Sequence, residues 1–421
     1  MRDSRTDISA SSGIDLFRRR TYDVAQATVN GLRGGSAVDR TARIGTSTDD
    51  VRRRNLSGVL VLVHRHRGMS RAELTRRTGL SRSTVKDLVE ELVDHDLVEE
   101  AQPAASTQVG RPSPMVRPQA RRLAIAVNPE IDSVTIGLVG LGGSVLEMTR
   151  RTTTGIPTVE QTVALASETI EQMRRQLGAD RGVTAIGVAA PGLVHAAGSV
   201  VRLAPNLGWQ DAPIGQMLSE ATGLPVFAAN DANLGAIAEH IFGRHLNAEH
   251  MIYVNGGAGG IGAGVVVAGG LLDGVAGYAG ELGHTYVGGT GVCHCGRVGC
   301  LETEVSQSQT YATDSTAVAK TVERQAKYLG IALGNAVNLL NPGLIVLGGF
   351  LQAFPSLAAD VLNDAVSRHS LREPHDVVRI VPASLGSQTL MIGAAELAFA
   401  PLLADPAAHY HQGVDRDGTV G

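Results

Sequence analysis

The chain has 421 residues, 43% hydrophobic and 19% charged, enough for two or three domains with a sizeable core and unlike a disordered chain, a collagen or a small disulfide scaffold. Its net charge of −4 hides an asymmetry: +1 over residues 1–50, +6 over 51–122 and −11 over 123–421. A basic module ahead of an acidic body is the pattern of a nucleic-acid-binding segment joined to a small-molecule domain.

The three cysteines lie between 293 and 300. An odd, clustered set argues for a metal or reactive site in a reducing compartment rather than a disulfide framework. No apolar run reaches the roughly 18 residues of a membrane helix, and no N-terminal stretch reads as a signal peptide. The expectation is a soluble cytoplasmic protein with no membrane partner.

Residues 1–50 are rich in Ser, Thr, Gly, Arg and Asp and read as a disordered tail. From 51 the pattern changes. Leu56, Val59, Leu60 and Val63 repeat at helical spacing and predict a helix to about Arg67. Ser70 with Glu73 forms a capping-box signature for a short helix that stops at Gly79. Ser81 then caps a third helix with Val85, Leu88, Val89, Leu92 and Val93 on one face.

This is helix-turn-helix spacing. Arg82, Ser83, Thr84 and Lys86 open the third helix, where short polar and basic side chains reach base edges and phosphates. Arg71 lies on the preceding helix, where backbone contacts are expected. Strand, loop and strand follow, with Gly110-Arg111-Pro112 in the loop. That makes a wing, with Arg111 suited to a narrow minor groove. Residues 51–118 therefore read as a winged helix-turn-helix; an ordinary charged three-helix bundle is the alternative.

From Leu123 the pattern is α/β. Strands are expected at Leu123–Val127, Val134–Val139, Val183–Ala189, Val226–Ala229, Met251–Val254, Gly264–Ala268 and Leu344–Leu347. Helices are expected at Val159–Leu177, Asp231–Ile241, Val318–Leu340 and Thr389–Leu403. Residues 119–405 are large for one core, so two lobes around a cleft are expected. No internal repeat stands out, and 406–421 read as a tail.

The most specific signal is His284 followed by Cys293, Cys295 and Cys300. One imidazole and three thiolates supply a tetrahedral set that selects zinc. Four protein ligands close the site, making it structural; a redox-active thiol group is the alternative. Gly257-Ala258-Gly259-Gly260-Ile261-Gly262 matches a dinucleotide-binding pattern, but Val265-Val266-Val267 follows at once. A β-hairpin fits that better than a helix opening.

Gly280-Glu281-Leu282-Gly283-His284 with Cys293-His294-Cys295-Gly296-Arg297-Val298-Gly299-Cys300 resembles the zinc signature of the ROK family (repressors, open reading frames, kinases). Leu203 to Trp209 is similar to that family's sugar-binding stretch. Asn230-Asp231-Ala232-Asn233 resembles its catalytic motif, and Gly348-Gly349 its adenosine-side glycine pair. The resemblance implies an N-terminal winged helix-turn-helix plus a two-lobed, actin-like and sugar-kinase-like domain. It places Asn206, Asn230, Asp231, Glu281, His284 and Glu302 against sugar hydroxyls, which planar amides and carboxylates suit. Asn230 and Asp231 could instead only cap a helix, and Glu281 and Glu302 only support the metal.

Family kinases carry Asp-x-Gly-x-Thr after the first strand to hold ATP phosphate. Here the stretch begins Asn128-Pro129-Glu130-Ile131, without the Asp, Gly or Thr. The second phosphate loop, Ala258 to Gly262, lacks a Thr. Phosphoryl transfer depends on positioning and charge neutralisation, so no enzyme activity is expected and Asp231 stands as a vestigial base. The reading is a transcriptional regulator, in repressor form, of sugar-metabolism genes. Its partners are operator DNA, a sugar or sugar derivative, and further copies of itself as a dimer or tetramer. An ATP-dependent sugar kinase with a DNA-binding appendage is the alternative.

Overall fold

A computed structural model describes residues 47–101, 113–245, 248–307 and 315–408. The first body is three helices and a small sheet. Helix α1, Thr48–Arg65, starts two turns before Leu56 because Ser47 and Asp50 form a capping box. Helix α2, Arg71–Thr78, is capped by Ser70, which accepts from the Glu73 amide at 3.2 Å. The expected second half of that box is missing, because the Glu73 carboxylate turns to Arg76 and Arg77. Gly79 closes the helix in the left-handed region at φ 66.

Helix α3, Arg82–Asp94, follows with Ser81 as its cap. Strands β1, Met69–Ser70, β2, Val98–Ala101, and β3, Met115–Pro118, form a sheet in the order β1-β3-β2. The expected wing tip with Arg111 lies outside the described residues, as do most of 1–50 and 406–421.

The first lobe carries β4 (Arg122–Pro129), β5 (Ser133–Gly140), β6 (Ser144–Thr152), β7 (Gly182–Ala190) and β11 (Val226–Asn230). A side sheet of β8 (Leu193–His195), β9 (Val200–Ala204) and β10 (Trp209–Ala212) stands beside it. The main order is β11-β7-β4-β5-β6, with β4 antiparallel to β5 and parallel to β7. Alternate residues of β4 serve opposite faces. Leu123, Ile125 and Val127 pack with helix α4, Val159–Gln176, and helix α5, Ile214–Thr222. Ala124 and Ala126 face the other way. Burial on both faces makes the strand a continuous apolar run.

The second lobe carries β12 (Met251–Gly257), β13 (Gly260–Val267), β14 (Gly270–Leu271), β15 (Leu344–Gly349) and β16 (Arg379–Pro382). Its order is β14-β13-β12-β15-β16. Each main sheet is thus an antiparallel meander of three strands extended by two parallel ones. The fold is duplicated although the sequence reveals no repeat. Different residues build the same pairing pattern, and the inserted side sheet breaks the spacing.

Between the lobes lie α6, Asp231–Phe242, and α9, Thr389–Ala404. The outer face of the second sheet is covered by α7, Ser315–Leu340, and α8, Ala359–His369. Apart from Glu396, the body of helix α9 is apolar around its circumference because sheet and helices enclose it. The stretch Gly386–Ala404 is long and apolar enough by composition to cross a membrane, and 72% of its 18-residue apolar window is buried in the protein. This corrects the expectation that no apolar stretch reaches span length. The core of the first body continues into the first lobe, where Leu56, Val59 and Val63 share one cluster with Phe399, Leu402 and Leu403.

Candidate ligand cleft, metal cluster and DNA-facing helix

A cleft of about 560 Å³ opens between the lobes. Asn206, Asn230, Asp231, Glu281, His284 and Glu302 all line it, so the fold gathers six residues scattered over nearly 100 positions. Asn206 sits on the 3₁₀ turn Pro205–Leu207. Its amide N–H donates across the cleft to the Gly259 carbonyl. Asn230 caps α6: its Oδ1 accepts from the Asn233 amide at 3.1 Å and its Nδ2 donates to Gly192 at 2.9 Å. The capping role weighed in the sequence is therefore present, leaving that side chain one N–H and one lone pair for a ligand.

Asp231 opens α6. Its Oδ1 accepts from the Ala232 amide at 2.8 Å and its Oδ2 from Asn255 at 3.1 Å. Burial raises its carboxyl to about 6, against those two hydrogen bonds and with help from the Glu281 charge. Glu281 is also raised, by burial first, with His284 opposing and Glu302 adding to the effect.

One ring nitrogen of His284 and the Sγ atoms of Cys293, Cys295 and Cys300 lie within 4.8 Å of one another. Cys295 and Cys300 are 3.7 Å apart, and Cys293 lies 3.6 Å from His284 Nδ1. Zinc–thiolate bonds of about 2.3 Å require tetrahedral edges of about 3.8 Å, so the donor set fits a metal ion. Left-handed Gly296 and Gly299 let the chain turn between ligands. With Nδ1 toward the thiols, Nε2 faces Glu281 at 3.8 Å. His294 is exposed and outside the cluster.

The Gly257–Gly262 stretch is the β12–β13 hairpin, paired to Gly257 opposite Gly260. A dinucleotide fingerprint needs a helix there, so that reading is excluded. The loop between β4 and β5, which in family kinases holds phosphate by the resemblance above, brings Glu130 and Asp132 to the cleft wall. Arg150 of β6 pairs with Asp132 at 2.8 Å and Glu130 at 3.8 Å. The sequence reading quoted Glu130 only for the phosphate-holding residues its stretch lacks, and passed over Asp132, Arg150 and Asn255. Two acidic residues in a would-be phosphate loop were the available signal; Arg150 had none.

At the start of α3, expected to face DNA, Arg82, Ser83 and Lys86 are exposed and Thr84 is half-buried. Ser81 Oγ holds the Thr84 amide at 3.1 Å, which fixes the start of α3. Lys86 pairs with Glu90 at 3.1 Å on the solvent face. Arg71, expected on phosphate, is instead committed to Glu100 of β2, with Nη2 donating at 2.6 Å. It ties α2 to the wing.

A model of the ROK family matches residues 124–400, and a model of the MarR family matches residues 57–106. The xylose repressor of Caldicellulosiruptor bescii is 26% identical over 373 residues, covering 80% of this chain and 93% of that protein. A glucokinase of Halalkalibacterium halodurans is 31% identical over 309 residues, covering 61% of this chain and 92% of that protein. The crystal structure of a ROK family transcriptional regulator, a homolog of the E. coli MLC protein, aligns with a TM-score of 0.69 at 26% identity. That alignment covers 86% of this chain and 100% of the other. Two-lobed cleft, His/Cys cluster and family match agree: the chain belongs to the ROK family.

Proposed function

We propose that this chain is a DNA-binding transcriptional regulator, a repressor of sugar-metabolism genes, controlled by a sugar or sugar derivative in the interlobe cleft. The observation that carries this is the pairing of two surfaces in one body: an exposed polar and basic start to α3, and a cleft lined by amides and carboxylates. The winged helix spans 51–118 and the ligand domain 119–405 in this reading.

Arg82, Ser83, Thr84 and Lys86 would enter the major groove, with Arg111 in the minor groove. Two copies would read a two-fold symmetric operator, as a dimer or tetramer. Asn206, Asn230, Asp231, Glu281, His284 and Glu302 would hold the sugar hydroxyls. Zinc on His284, Cys293, Cys295 and Cys300 would be structural, orienting the free His284 nitrogen into the cleft. The ligand changes DNA binding only to the extent that it prefers one lobe arrangement. The setting proposed is the cytoplasm.

One observation favours a second reading. Asp231, at about 6, is tuned as a general base would be, which fits an ATP-dependent sugar kinase. Against it stands the β4–β5 loop, which carries Glu130 and Asp132 and stays net acidic even with Arg150 paired to both. Phosphorylation of a bound sugar that vanishes in Asp231→Asn would establish the kinase. DNA binding that one sugar alters, with no phosphate transfer, would establish the regulator.

A further inference from the structure

His64 is buried on α1 at 1% exposure, and both its ring nitrogens are bonded to the first lobe. The Gly142 amide, in the β5–β6 turn, donates to Nδ1 at 2.9 Å. Nδ1 therefore carries no proton, and the Nε2–H donates to Glu396 of α9, 2.9 and 3.0 Å from its two oxygens. One imidazole thus bridges two separate elements of the lobe, and its two bonds are directional.

The surrounding contacts follow the same line. The His64 ring meets Phe242 edge-on at 5.3 Å and Phe399 at 6.2 Å. Arg67 donates to the Gly142 carbonyl at 3.2 Å and lies over Phe242 at 5.3 Å. Ser57 donates to the Leu403 carbonyl at 2.7 Å. Phe242 ends α6, and Phe399 and Leu403 belong to α9.

Both helices begin in the cleft. Asp231 opens α6, while Thr389, Leu390 and Met391 open α9, and all four line the cavity. At 1.5 Å per residue the cleft lies about 10 Å along α9 from Glu396 and about 17 Å along α6 from Phe242. The two helices touch backbone to backbone, because Gly393 leaves no room for a Cβ beside the Leu234 carbonyl. A packed pair of this kind moves as a unit rather than bending.

We infer that His64 is a positioning residue for DNA recognition: a two-point clamp that holds the winged helix in one orientation on the first lobe. Through Glu396 and Phe242 it makes that orientation follow α6 and α9. The clamp itself stands on the contacts above; its coupling to the cleft rests on the regulator reading.

The test compares wild type with His64→Phe, which keeps an aromatic ring but loses both bonds, and His64→Gln, which keeps a donor toward Glu396. Amide exchange is followed across residues 56–64, without DNA or ligand. Operator affinity is then measured on DNA from the gene's own upstream region, with and without D-xylose. The clamp predicts exchange at least about tenfold faster in His64→Phe with α3 unchanged, operator affinity weakened about tenfold, and His64→Gln in between. Unchanged exchange overturns it, and so does faster exchange with undiminished operator affinity. If His64→Phe does not fold, Glu396→Leu, which removes the acceptor for Nε2–H, takes its place with the same criteria. Wild type that binds neither that DNA nor D-xylose counts against the regulator reading, while the exchange comparison still decides the clamp.

Discussion

Asn255, on strand β12 of the second lobe, donates a hydrogen bond to Asp231 at the start of α6, 3.1 Å away. The bond joins the second lobe to the residue that opens the central helix. Desolvation still outweighs it, and the carboxyl titrates near 6 rather than 3.8. A raised acid binds more protons folded than unfolded, so its ionisation opposes folding as pH rises from about 4 to 6 and thereafter. Between pH 4 and pH 7.5 wild type should therefore lose about 3 kcal/mol at most relative to Asp231→Asn. That loss adds to a pH-independent offset, because the Asn amide nitrogen cannot accept the bond that one Asp231 oxygen takes from Ala232 or Asn255. Thermal melts of both proteins at pH 4, 6 and 7.5 check it; a stability difference between the two that does not change with pH contradicts the burial argument.

Metal content follows from the donor set. Protein purified without chelator should carry about one zinc per chain by elemental analysis. Cys295→Ser should lower this several-fold and weaken sugar binding as well, because His284 loses the anchor that aims its other nitrogen. Less than about half a zinc per wild-type chain would count against the closed four-ligand site.

On the DNA side, exposed Arg82 and Lys86 should act differently from Ser83. Alanine at either basic residue should weaken binding to all sequences and reduce the salt slope by about one. Alanine at Ser83 should relax selectivity at one base pair by about 1–3 kcal/mol. Arg71→Ala should leave the salt slope nearly unchanged, since Arg71 is held by Glu100. Anisotropy titrations at three salt concentrations separate these outcomes.

The acidic β4–β5 loop predicts that ATP does not bind. Calorimetry with ATP and magnesium should give no saturable heat in wild type. Glu130→Gly with Asp132→Thr should allow weak binding, because both carboxylates are removed and Arg150 is released from them. Saturable ATP binding by wild type would revive the kinase reading.

What the sequence made legible was local. Ser81, Gly79 and the apolar spacing of Val85 to Leu92 placed α3 because caps and periodicity act within a few residues. His284 with Cys293, Cys295 and Cys300 was legible because ligand spacing is short. Long-range relations were not. Arg71 reads as a free cation until Glu100, 29 positions away, is brought to it. His64 reads as one more residue on a helix until Glu396 is packed against it across 332 positions. Strand β6 was missed because it alternates exposed and half-buried residues along a sheet edge, without the apolar run that marks β4 and β7.

The measurement that bears most directly on the account is fluorescence anisotropy on DNA from the gene's own upstream region, at fixed salt, titrated with protein against a panel of sugars and sugar phosphates. The account predicts sequence-selective binding that at least one sugar shifts about tenfold or more, with the shift lost in Glu281→Ala. Selective binding that no sugar alters, or no selective binding at all, would contradict it.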